Sequence, residues 1–376
     1  MSLTAVSSMD NSTAPLSSAP MRHETSDYVQ MALFLLFMAV GLPVNISTLI
    51  YMLRRYRHAK SFLLLLHINL NISDILVLGV YVPGLIGWLI TLEWKGGALM
   101  CKVMRFVDVF VLAISSNIMV CIALYRLYAL RYPLWISAVG HSRVPRMLLA
   151  AWGTAVVSIL PQLYVWREVD FGNFRQCVAI WTEKINLGGN RTLMTDMDFQ
   201  LMKLYGIQNA IITFYIPLVI LVVCYVLILK DIYKTLNASE PEMSSALYLS
   251  ELSKLSTFNK RWSKKEKEST VSLTTRTIRG QDKLRRAKVR SLRITLLLIL
   301  VYVITWLPNN LLSWWMVISF ESYRDHQDTT FPLAFLVVLN SVINPFIYGR
   351  CQGLRLMFSC NQMEKRPKKV CRILHC

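Results

Sequence analysis

The 376-residue chain reads as an all-α membrane protein, a seven-transmembrane helix bundle followed by a short amphipathic helix on the membrane surface. Three observations predict this class. Hydrophobic residues make up 54% of the chain and charged residues only 17%, with a mean hydropathy of +0.42, above what soluble domains carry. Apolar stretches long enough to cross roughly 30 Å of hydrocarbon recur along the sequence. The net charge of +19 falls almost wholly on one side of those stretches.

The predicted spans are Tyr28 to Leu53, Phe62 to Ile90, Leu99 to Leu130, Val144 to Trp166, Leu204 to Leu229, Leu292 to Ser319 and Phe331 to Tyr348. The last ends in Asn340-Ser341-Val342-Ile343-Asn344-Pro345-Phe346-Ile347-Tyr348-Gly349. Asparagine is costly in hydrocarbon and proline leaves a carbonyl without its helical partner, so this segment predicts a polar bundle interior. Residues 1–27 form an N-terminal tail rich in Ser, Thr and Pro, with no signal-peptide layout. Residues 28–349 form the bundle, with 231–288 as a flexible inner loop rich in Ser, Lys and Arg. Residues 350–376 form the tail. Within it, Arg350 to Cys360 alternates basic residues with Leu354, Leu356, Met357 and Phe358, the pattern of a membrane-surface helix. Cys351 and Cys360 are candidate palmitoylation sites there.

Charge sets the orientation. The first 27 residues net −2, whereas Arg54 to Lys60 and Arg126 to Arg146 each carry four basic residues and no acid. Lys230 to Arg293 nets +9 and the tail from Arg350 nets +6. The N-terminus is therefore expected outside and the C-terminus in the cytosol, in the plasma membrane. The basic segments flank spans, so they suit anionic lipid rather than nucleic acid.

With that topology, Cys121 and Cys224 lie within spans and four further cysteines lie on the reducing side. Only Cys101 and Cys177 face outward, so a disulfide between them follows by elimination. Asn11 and Asn190 begin outward-facing glycosylation sequons.

Several spans carry polar residues. Asp74 lies in mid-span, where a carboxylate is a functional candidate by default. Its expected partners are Ser115, Asn340, Ser341 and Asn344. Such oxygens suit an allosteric Na⁺ ion; the alternative is a protonated packing group. Asp108 lies two turns beyond Cys101, facing the interior near the outer mouth. It is positioned to pair with a ligand cation, or internally with Arg105 or Lys102. Arg126 at the inner end of the third span reads as a snorkelling cation. Trp306-Leu307-Pro308 places a kink and a bulky aromatic beneath a pocket, and core packing is the plainer reading. Pro83, Pro161 and Pro217 are further kinks. No catalytic constellation is present, the six histidines show no ligand spacing, and no enzyme or cofactor is expected.

Taken in order, Asn45, Asp74, Trp94…Gly97…Cys101, Arg126 with Tyr132-Pro133, Trp152, Pro217, Tyr225, Trp306-x-Pro308 and Asn344-Pro345-x-x-Tyr348 resemble the rhodopsin-like (class A) G-protein-coupled receptors. The match covers about residues 28 to 360. Leu66-His67-Ile68-Asn69-Leu70 and the Asn340 to Gly349 segment are similar to the gonadotropin-releasing hormone, adipokinetic hormone, vasopressin and oxytocin receptor group. Within that group the chain resembles a divergent invertebrate, nematode member. The resemblance implies a ligand pocket around Asp108, Trp306, Asn309, Asn310 and Gln208. It also implies a switch made of Arg126, Tyr225, Trp306, Pro308, Asn344, Pro345 and Tyr348. The implied partners are an extracellular neuropeptide or peptide hormone, a heterotrimeric G protein of the Gq class, arrestin, a receptor kinase and membrane lipids. An amine receptor using Asp108 is the alternative. A transporter or channel would need repeats or broken helices, and neither is seen.

The chain departs from the family in four places. Tyr125 stands where an acid usually precedes the arginine, and Leu284-Arg285-Arg286-Ala287-Lys288 has no acid at the base of the sixth helix. Thr305 replaces the usual cysteine, and Asn309 and Asn310 follow Pro308 in place of aromatics. The first two departures together predict elevated basal signalling.

Overall fold

The computed structural model describes residues 23–172, 174–187, 195–233, 292–319, 322–323, 326, 333 and 336–351. Among the described residues, six helices are long and apolar enough to cross a membrane. The first span is α1 (Thr25–His58), opened by a capping box between Glu24 and Asp27. The second is α2 (Phe62–Leu76) joined through a π turn (Val77–Tyr81) to α3 (Val82–Thr91). The π turn sits just before Pro83, where the missing N–H already breaks the regular ladder. The third is α4 (Gly97–Arg131).

The helix α5 (Pro133–Ser158) starts well before the predicted fourth span, because Pro133 at its first position is pre-set for helical geometry. It stops at Ile159 and α6 (Pro161–Val165) resumes, since a helix does not run smoothly through the residue before proline. The chain then turns into an antiparallel hairpin, β1 (Trp166–Asp170) with β2 (Arg175–Ala179), in which Glu168 faces Cys177. At its tip the Asp170 carboxylate accepts from the Gly172 N–H at 2.8 Å and from Arg175 Nε at 3.2 Å. The Gly172 N–H first and Arg175 second hold that carboxyl below its ordinary range.

Beyond α7 (Ile180–Leu187), α8 (Asp196–Ala210) begins with a Thr195–Asp198 capping box. It passes through a second π turn (Ile211–Tyr215), again just ahead of a proline, Pro217. Helix α9 (216–233) completes the fifth span, so Asp231 to Tyr233, expected in the inner loop, are helical. The sixth span is α10 (Leu292–Ile318). The seventh apolar helix, α11 (Leu336–Cys351), is shorter in its apolar part and takes in Arg350 and Cys351, which were expected to open the surface helix. The remainder of that expected helix, Asn11, Asn190, Cys360 and Leu284 to Lys288 lie outside the described residues.

Two compact units are distinguishable, Met1–Val222 with Ile299–Phe346, and Val223–Leu298 with Ile347–Cys376. In the first, a core of Phe34, Val77, Leu78, Val82, Leu85, Val111, Val338 and Val342 joins spans one, two and three to α11. Gly41 lets Leu78 approach closely there, because an added Cβ would meet Leu78 Cδ1 at 2.7 Å and require the leucine to shift. In the second, Cys224, Ile228, Ile294, Leu298 and Tyr348 are buried.

Candidate functional site

The polar interior begins with prolines. Pro345 has no N–H to offer the Ser341 carbonyl four residues earlier. Asn45 Nδ2 of the first span donates to that carbonyl at 3.0 Å and to its own Gly41 carbonyl at 2.9 Å. Asn71 Nδ2 donates to Asn45 Oδ1 at 2.6 Å, which ties the second span into the same cluster. One turn further, Asp74 is fully buried, and Asn344 Nδ2 approaches its two carboxylate oxygens at 3.1 and 3.3 Å. Three of the expected residues, Asp74, Ser341 and Asn344, thus take part in hydrogen bonds that cross between helices, together with Asn45 and Asn71.

Ser115, Asn340, Ser341 and Asn344 are all buried. Ser115 Oγ, Asn340 Oδ1 and Asn344 Oδ1 have no hydrogen-bond partner among the described residues. Buried oxygen acceptors with unspent lone pairs are the kind of group that a hard cation takes, and of these residues Asn344 is the one hydrogen-bonded to the Asp74 carboxylate.

At the outer mouth, the Cys101–Cys177 disulfide is formed and packs with Trp94 between Trp88, Met104 and Trp166. Asp108, expected to face the interior, is 8% exposed and pairs with Arg105, itself 7% exposed, at 3.1 Å. Of the two alternatives at this residue, the internal pair with Arg105 is the contact that the structure holds. The Arg105 guanidinium lies 4.6 Å from the Trp88 ring centroid and 5.1 Å from that of Trp166. Each indole is held in turn. Trp88 Nε1 donates to Gln176 Oε1 at 3.0 Å, and Gln176 Nε2 donates to the carbonyl of Leu92, a residue at φ 54° that ends its helix. Trp166 Nε1 donates to Tyr205 Oη at 3.1 Å, Tyr205 donates to Gln162 Oε1, and Gln162 Nε2 donates to Asn209 Oδ1 at 3.3 Å. The sequence reading missed Arg105's aromatic clamp and the Gln162–Tyr205–Asn209 chain. The only available signal was four polar or aromatic residues in apolar surroundings. An open groove of about 510 Å³ lies outward of this layer, lined by Glu93, Lys95, Glu168, Asp170, Phe174 and Arg175 among others.

On the sixth span, Trp306 is buried and stacks with Phe214, rings 6° from parallel. Asn310 is buried and its Nδ2 donates to the Trp306 carbonyl at 2.9 Å, whereas Asn309 and Gln208 are half-buried. Trp314 Nε1 donates to Tyr215 Oη at 2.6 Å, which ties the outer halves of spans five and six. Arg126 is half-buried at the inner end of α4, Tyr225 half-buried in α9 and Tyr348 buried in α11.

The profile described as "7 transmembrane receptor (rhodopsin family)" matches residues 28–348. The chain belongs to that family. As a rhodopsin-family receptor it is a multi-pass membrane protein and not an enzyme. It is similar to the G-protein coupled receptor daf-38 of Caenorhabditis elegans, 28% identical over 86% of this chain and 88% of that one. It is also 28% identical to a gonadotropin-releasing hormone receptor of Octopus vulgaris, over 78% of this chain and 64% of the other. A third relative, the vasopressin V1b receptor of Mus musculus, is 24% identical over 87% and 73%. The hormone-receptor group that the span-two and span-seven patterns resemble is thus among the receptor's relatives.

Proposed function

We propose that this rhodopsin-family receptor binds an extracellular neuropeptide or peptide hormone and activates a heterotrimeric G protein, of the Gq class, by movement of its sixth helix. The observation that carries the peptide reading is the Arg105–Asp108 pair. The carboxylate that would hold an amine's ammonium already holds a buried guanidinium. The printed names of the octopus and mouse relatives, both hormone receptors, support the same reading. The charge asymmetry supports a plasma-membrane receptor with its N-terminus outside, residues 28–349 as a seven-span bundle and 350–376 meeting lipid, arrestin and receptor kinase. Glycans on Asn11 and Asn190 and palmitate on Cys351 and Cys360 belong to this picture. Screening neuropeptides and amines side by side for calcium release in transfected cells tests it. A response to amines alone overturns the peptide assignment.

Two further expectations follow. The Asp74 cluster holds a Na⁺ ion, so exchanging choline for sodium should lower the melting midpoint of the solubilised receptor, and Asp74→Asn should abolish that difference. A sodium-independent midpoint in the wild type removes the ion. Tyr125 in place of a carboxylate leaves the arginine's neighbour without charge. Tyr125→Asp is therefore expected to cut ligand-free signalling severalfold at matched surface expression, on the order of a few-kcal/mol ion pair at most. Equal signalling rules this out.

A further inference from the structure

The groove of about 510 Å³ outward of Arg105 belongs neither to the Arg105–Asp108 pair nor to the sixth-helix residues. Its walls come from two segments that are pinned together. The Trp94 N–H donates to the Arg175 carbonyl at 2.8 Å, which fastens the first outer loop to β2. The Cys101–Cys177 disulfide fastens the same strand to α4. Residues directly opposite each other in a hairpin share a face. Glu168, opposite Cys177, therefore lies on the face that the disulfide turns toward the bundle. Two positions further along that face, Asp170 and Arg175 hold each other at 3.2 Å. The other three charged side chains of the groove, Glu93, Glu168 and Lys95, make no hydrogen bond or ion pair among the described residues. Trp94 and Phe174, the latter stacked on Phe171, supply aromatic surface. Gly97 opens α4 at φ 76°, and no atom stands within 4 Å of where its Cβ would be, so the groove is roomy at the helix end.

The depth of the groove points to its ligand. The 35 residues of α4 span about 52 Å, against roughly 30 Å of hydrocarbon and roughly 40–45 Å for a bilayer with its headgroups. Arg126 and Arg131 lie at the inner end of that helix, so Gly97 stands in the outer headgroup layer or just above it. Within two turns inward of Gly97, Leu99, Met100 and Val103 are exposed, an apolar surface suited to acyl chains. We propose that this groove holds the phosphocholine headgroup of an outer-leaflet lipid. Glu93 and Glu168 neutralise the quaternary ammonium, which the aromatic walls also favour. Lys95 takes the phosphate as a point charge. Uncommitted charges of both signs in one groove match a zwitterion, whereas a purely anionic headgroup meets two unpaired carboxylates. A lipid seated there braces the first outer loop and the hairpin beside the disulfide. The site stands whether or not the receptor's agonist is a peptide.

The test melts the full-length receptor in dodecyl maltoside, a detergent with neither phosphate nor amine. Dioctanoyl phosphatidylcholine, dioctanoyl phosphatidylglycerol and free phosphocholine are added separately at equal concentration. The choline lipid is expected to raise the melting midpoint by about 2–5 °C near saturation, and the glycerol lipid to leave it unchanged. Glu93→Gln combined with Glu168→Gln should lose most of that rise. Without lipid the same variant should melt close to the wild type, because neither carboxylate has a partner to forfeit. Lys95→Gln should also reduce the rise. Lys203→Gln, which removes a cation on α8 outside the groove, should leave it intact. No rise with the choline lipid, an equal rise with the glycerol lipid, or an equal rise in the double variant each overturns the site. Equal protection by free phosphocholine overturns the membrane source and makes the ligand a soluble phosphocholine ester.

Discussion

Replacing Asp108 with alanine is expected to destabilise the receptor by about 3–5 kcal/mol, the cost of leaving a buried cation without its anion. Arg105 cannot escape this by turning outward. It is 7% exposed, and its guanidinium is boxed by Trp88 and Trp166, whose indole nitrogens are committed to Gln176 and Tyr205. Cation–π contact offsets a part of the loss, about 1–2 kcal/mol for a desolvated pair, and so does not reverse its sign. The melting midpoint of the full-length protein in detergent should fall by roughly 10 °C. Replacing both partners together, as Arg105→Met with Asp108→Leu, should recover most of that loss, because apolar residues of similar volume need no counter-charge. A ligand-holding Asp108 behaves differently. Its alanine variant would melt near the wild-type midpoint and lose only ligand binding, and that outcome would falsify the internal pair. The result bears directly on ligand class, because a carboxylate that is already neutralised offers little to an amine.

The legible and illegible parts of this site divide along a physical line. Asn45, Asp74, Asn344 and Pro345 stand out in sequence because each is costly in hydrocarbon, and cost implies a partner. The outer disulfide was legible by topology alone. Which partner each group takes is another matter. Asp108 had Arg105 and Lys102 within reach on one helix, and spacing alone left both open. What distinguishes them is that Trp88 and Trp166, brought in from the second span and the hairpin, form a slot for a planar cation. Tyr302 on the sixth span was invisible for a related reason. A tyrosine at a helical core position reads as packing, and only the tertiary fold shows that its hydroxyl meets the Thr213 carbonyl vacated by Pro217. The early start of α5 at Pro133 was not legible because His141, Ser142 and Arg143 interrupt the apolar run ahead of Val144. Helix formation there follows from the proline's fixed φ, not from apolar periodicity.

Asn45→Leu is expected to cost about 2–3 kcal/mol, and the reason is the proline on another helix. Leucine matches the volume but supplies no donor for the Ser341 carbonyl and no acceptor for Asn71 Nδ2. Each stranded buried group costs about 1–3 kcal/mol in general. Interhelical hydrogen bonds in membranes average nearer ~0.6 kcal/mol, because the separated helices find other partners. Here the larger figure should apply to Ser341, since Pro345 removes the alternative partner within its own helix. That attribution can be isolated. Pro345→Ala returns an N–H to position 345, which can then bond the Ser341 carbonyl. In that background Asn45→Leu should cost about 1 kcal/mol less than in the wild type, read as a smaller drop in melting midpoint across the double-mutant cycle. Equal costs in the two backgrounds would mean that Asn45 acts through Asn71 and Gly41 alone. A smaller cost beside Pro345→Ala would establish that the first helix completes the broken ladder of the seventh, which is why an asparagine there is tolerated in the bilayer at all.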